Sequence, residues 1–170
     1  MANVRPCHRM GTDINGAFGH REPFPPTDAL MEAMRQGLGG EWEVVRDYNP
    51  GRGLVYVCGE VGIHFGPHAG IASTGYGWLE DRDDQRAAVD TIRAVARFFG
   101  SPGVIFLPDD IEPYIYASNW IGQGSTFDDL RKRLAAIKEP SADFRAAIRQ
   151  MPECYEVDGY VIEKLDHDGV

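Results

Sequence analysis

The chain has 170 residues, of which 43% are hydrophobic and 25% charged, and a formal net charge of −9. A chain of that size and composition buries a core without staples, so one globular domain over residues 1–170 is expected. The seventeen Lys and Arg residues are scattered, which excludes a phosphate-binding nucleic-acid surface. The acidity also disfavours anionic membranes and favours a basic protein surface as partner. Its densest basic run, Arg131-Lys132-Arg133, falls inside a helical pattern and reads as a solvated face.

Residues 1–9 read as an extension ahead of Met10, with no apolar signal core. The three cysteines, Cys7, Cys58 and Cys154, are widely spaced. An odd number without a C-x-x-C pair predicts unpaired thiols and a cytoplasmic, reducing setting.

In chain order, Ile14 to His20 has weak strand character, interrupted by Gly16 and Gly19. Thr27 or Asp28 caps a helix carrying Leu30, Met34 and Leu38 on one face, ended by glycines 37, 39 and 40. Residues 41–79 then hold four short apolar runs joined by turns, including Asn49-Pro50-Gly51-Arg52 and Gly66-Pro67-His68-Ala69-Gly70. That pattern predicts an antiparallel meander.

Val89, Ile92, Val95, Ala96 and Phe99 mark a helix over about 83–99, and Gly103 to Leu107 a buried strand. Ile111 to Ile121 follows no clean period and reads as a turn of helix plus loop. Ser125 or Thr126 caps a helix with Phe127, Leu130, Leu134 and Ile137, and Ser141 caps another. Asp158-Gly159 between two β-favouring runs predicts a C-terminal hairpin over 155–165. The expected fold is α+β, a largely antiparallel sheet packed by three to four helices against one face.

No motif imposes a chemistry. Ser73, Ser101 and Ser118 lack a nucleophile elbow. Gly122-Gln123-Gly124 lacks the lysine of a phosphate loop, and Asp128 and Asp129 after it would repel phosphate, so helix capping explains it. His64 and His68, either side of Gly66-Pro67, could share a divalent metal with a carboxylate from Asp13, Asp109 or Asp110. A half-buried sheet histidine and a solvated turn histidine explain the same pair without one. Asp109, Asp110 and Glu112 adjoin the aromatics Tyr114, Tyr116 and Trp120; ordinary turn acids and core aromatics explain them, and charge with anchors also suits a protein interface.

The run Met10-Gly11-Thr12-Asp13-Ile14-Asn15-Gly16, with Trp42-Glu43-Val44-Val45, Tyr48 and Arg52, resembles small uncharacterised phage and bacterial proteins that open Met-Gly-Thr-Asp-Ile-His-Gly. Asn15 stands where those proteins have His. The resemblance implies no activity, but it implies a phage or mobile-element setting. The combined expectation is a non-enzymatic protein-binding module without a cofactor, of the immunity or anti-defence inhibitor kind. The alternative is a small enzyme using a divalent metal on His64, His68 and a carboxylate.

Overall fold

A computed structural model describes residues 13–20, 28–49, 54–75, 82–107, 111–136, 154–157 and 160–165. The elements are β1 (Asp13–Gly19), α1 (Asp28–Leu38), β2 (Glu43–Asn49), β3 (Leu54–Cys58), β4 (Gly62–Phe65), β5 (Ala69–Gly75), α2 (Arg82–Phe98), β6 (Gly103–Leu107), α3 (Ile111–Gly122), α4 (Phe127–Ala135), β7 (Cys154–Val157) and β8 (Tyr160–Lys164). The α+β class stands. Its eight strands form one sheet in the order β2-β3-β4-β5-β1-β6-β8-β7, with antiparallel neighbours throughout. β2 to β5 make the expected meander, and β7 with β8 the expected hairpin.

β1 read as a weak strand, yet it is inserted between β5 and β6 near the middle of the sheet. Its glycines do not weaken this position; one of them makes it. A Cβ on Gly16 would lie 2.4 Å from Ile92 Cγ2 and 2.8 Å from Val104 Cγ1, so α2 packs directly on the strand backbone.

The expectation of helices on one sheet face is corrected. Successive side chains of β1 and β6 enter two separate cores. Ile14, Phe18, Val104 and Phe106 join Met31 and Met34 of α1 and Ile92 and Val95 of α2. Ala17, Ile105 and Leu107 join Ala117 and Ile121 of α3 and Leu130 and Leu134 of α4. The sheet therefore lies between two helical layers. Unbroken burial along Gly103 to Leu107 is the signature of a strand covered on both sides.

α3 is the second correction, a twelve-residue helix where a short turn and loop were expected. Pro113 sits in its first turn, where the backbone N–H has no intrahelical partner to lose. At its far end, α3 lies against the β4–β5 turn: a Cβ on Gly66 would be 2.0 Å from the Ile121 carbonyl oxygen. The predicted helix beginning at Ser141, and Ile137 before it, lie outside the described residues.

Cys58 is buried in β3 and disulfide-bonded, against the expectation of three free thiols. Such a bond suits an oxidising environment and weighs against the reducing compartment inferred from cysteine count. Alkylation in denaturant without reductant is expected to leave Cys58 unlabelled, and reductant to expose it. Labelling of Cys58 before reduction would contradict the bond. Among the described residues, no helix is long and apolar enough to cross a membrane.

Candidate functional site

The outer side of α3 carries the aromatic pair anticipated from the sequence. Tyr116 and Trp120 are four residues apart, one helical turn, so their rings meet on one face. The centroids are 5.9 Å apart and the planes 18° from parallel, a stacked pair. Tyr116 is 40% exposed, and no other large hydrophobic side chain among the described residues is exposed. Trp120 is half-buried because its other side packs on the second core. The helix thus presents a rigid aromatic surface whose base is fixed.

α4 completes it. The Arg133 guanidinium lies over the Trp120 ring, 5.4 Å from the centroid, within cation–π range. Sequence reasoning placed Arg133 in a solvated basic run and missed this role. The available signal was the helical repeat that puts Leu130 and Leu134 inward and leaves Arg133 outside them.

The start of α4 is fixed by a reciprocal cap, as the Ser125-Thr126 reading anticipated. Thr126 Oγ1 accepts from the Asp129 backbone N–H at 3.2 Å, and Asp129 Oδ2 accepts from the Thr126 backbone N–H at 3.0 Å. Asp128 pairs with Lys132 at 2.8 Å and with Arg131 at 2.7 Å. These contacts agree with the capping role read for both acids from the sequence.

The same contacts set how α4 responds to pH. The Lys132 side chain holds the Asp128 carboxyl below its usual range, and the Thr126 backbone N–H does so for Asp129. Asp128 in turn raises Lys132. Groups with depressed carboxyl values stabilise above the unfolded carboxylate range and lose that contribution as pH falls through the folded value. A raised lysine contributes below its unfolded value and loses the contribution as pH rises through the folded one. The helicity of α4 is therefore expected to stay level from about pH 5 to 9 and to decline below about pH 4. Circular dichroism across that range, with Asp129→Asn for comparison, checks it. A wild-type decline already near pH 6 would be the contrary result.

Among the remaining predicted residues, Glu112 and Tyr114 belong to the α3 backbone, but their side chains lie outside the description. Asp109 and Asp110 also lie outside the described residues, immediately before α3 in the chain. His64 is half-buried in β4 and meets the Tyr56 ring at 4.7 Å. His68 sits in the β4–β5 turn, where its carbonyl accepts from the His20 backbone N–H at 3.1 Å. Among the described residues, no group of three or more His, Cys, Asp or Glu side chains is placed to hold a metal ion.

The serines have structural settings. Ser73 donates to Asn15 Oδ1 at 2.6 Å across β1 and β5. Ser101 accepts from the Gly19 N–H and donates to the Gly103 carbonyl, tying β1 to the loop before β6. Ser118 Oγ is buried under α3 without a hydrogen-bond partner. Compared with known protein families, curated proteins and solved structures, the chain matches none.

Proposed function

We propose that the protein is a non-enzymatic binding module that holds a basic protein surface through the outer face of α3 and α4. The observation that carries this reading is the stack of Tyr116, Trp120 and Arg133. Tyr, Trp and Arg are the residue types that dominate interface energetics, and here they form one preorganised cluster at low entropic cost. A stable interface buries about 800 Å² per partner, so the stack is its anchor and neighbouring surface supplies the rest. Asp109, Asp110, Glu112 and Tyr114 adjoin the anchor in sequence and extend the proposed site.

The net charge of −9 supports a basic partner through its effect on encounter. Complementary fields speed association more than they tighten the complex. An inhibitor of the immunity or anti-defence kind, in a phage or mobile-element setting, is the biological role this chemistry suits. Kinetics with an isolated partner test the reading. Rising salt, or replacing Asp109, Asp110 and Glu112 by Asn or Gln, should slow association, while Trp120→Ala should mainly speed dissociation. An association rate indifferent to both salt and those charges would remove the basic partner from the proposal.

A further inference from the structure

On the opposite face of the sheet, a cleft of about 410 Å³ opens between α1, α2 and the β3–β4 turn. Its apolar lining residues are Leu38, Trp42, Ala94 and Val95, and its charged ones among the described residues are Glu60 and Asp90. The volume falls within the range of small-molecule sites. The wall is fixed. Trp42 is buried, and its indole N–H donates to the Gly39 carbonyl at 2.8 Å, which prevents the ring from turning into the space. Gly40 lets Glu60 lie close at the rim: a Cβ there would be 2.8 Å from Glu60 Oε1.

The polar lining is one-sided. Among the described residues, no Lys, Arg or His lines the cleft. Its two uncharged side-chain donors are already committed, the Trp42 indole to Gly39 and the Thr91 hydroxyl to the Ala87 carbonyl at 2.9 Å. What remains are acceptors bearing negative charge. Asp90 also meets Arg93 at 3.0 Å, but Asp90 is largely exposed in that pair. Arg93 is mostly buried and takes only Oδ1 of Asp90, so the solvent-facing side of that carboxylate stays open to a second cation.

We propose that this cleft binds a small organic cation, an ammonium group carried on a short alkyl chain. The ammonium has donors and no acceptor, matching Glu60 and Asp90, while the methylenes lie along Trp42, Leu38 and Val95. An anion would be repelled by both carboxylates and would find no free side-chain donor among the described lining residues. The site is separate from the α3–α4 surface, so either can fail without the other.

The test follows the Trp42 indole N–H resonance, assigned by Trp42→Phe, during titration with 1,5-diaminopentane, 1-pentanol or pentanoate. The diamine is expected to shift it saturably, and the alcohol and the acid are not. Glu60→Gln and Asp90→Asn should each weaken diamine binding by roughly tenfold, the usual scale of a charge-assisted hydrogen bond. Glu32→Gln, which removes one charge from the exposed side of α1, should leave it unchanged. Wild-type-like spectra of the variants establish that they fold. No saturable shift with the diamine, equal binding of pentanoate, or equal weakening by Glu32→Gln would overturn the proposal.

Discussion

Phe18→Ala is expected to lower stability by about 3–5 kcal/mol, the usual loss when a buried Phe is truncated in a packed core. Phe18 is fully buried in β1, stacks on Phe99 at a centroid distance of 5.4 Å and meets Phe65 edge-on at 5.9 Å. These rings come from three separate parts of the chain, so no small movement of one element refills the space. Domains of this size are stable by about 5–15 kcal/mol, so the loss is a large share of the total. It should appear as an earlier urea midpoint with little change in slope. By contrast, Tyr116→Ala, on the exposed side of α3, should stay within about 0.5 kcal/mol. A Phe18→Ala loss below about 1 kcal/mol would mean that β1 is not at the centre of the first core.

The second large effect concerns binding. Trp120→Ala is expected to raise the dissociation rate of the complex roughly thirtyfold or more, the equivalent of about 2 kcal/mol. It removes the ring that both Tyr116 and Arg133 stack on. Because Trp120 also packs on the second core, the truncation will cost stability as well. Two milder variants separate the effects. Trp120→Phe keeps most of the packing, and Arg133→Lys keeps the charge while losing the flat guanidinium that lies on the ring. If Arg133→Lys neither slows binding nor speeds release, while Trp120→Ala loses binding only in proportion to lost folding, the stack is structural.

The parts of the fold that were legible in the sequence are those fixed over short stretches of chain. The turn at Gly66-Pro67 joins β4 to β5, Thr126 with Asp129 starts α4, and the runs on either side of 50–53 and 158–159 pair as antiparallel neighbours, as their patterns predict. The features that escaped depend on distant partners. Gly16 looks like a strand breaker until Ile92 and Val104 are seen against it. α3 hides its period because it is apolar on two sides, with Ala117 and Ile121 facing the sheet while Tyr116 and Trp120 form a surface. The Cys58 bond and the meeting of Arg133 with Trp120 join parts of the chain whose spacing carries no pattern. Of the proposed site, only the crowding of Tyr114, Tyr116 and Trp120 was readable; that Tyr116 and Trp120 share a helical face, and that Arg133 joins them, was not.

The most direct test of the α3–α4 binding surface compares what co-purifies with the wild-type chain, Trp120→Ala, Tyr116→Ala and Glu32→Gln from the same cells. Thermal melts should first establish that all four are folded at the working temperature. The account predicts one basic protein that stays with the wild-type chain and Glu32→Gln, is depleted with Tyr116→Ala, and is lost with Trp120→Ala. Equal recovery of that protein by the wild-type chain and folded Trp120→Ala would contradict it.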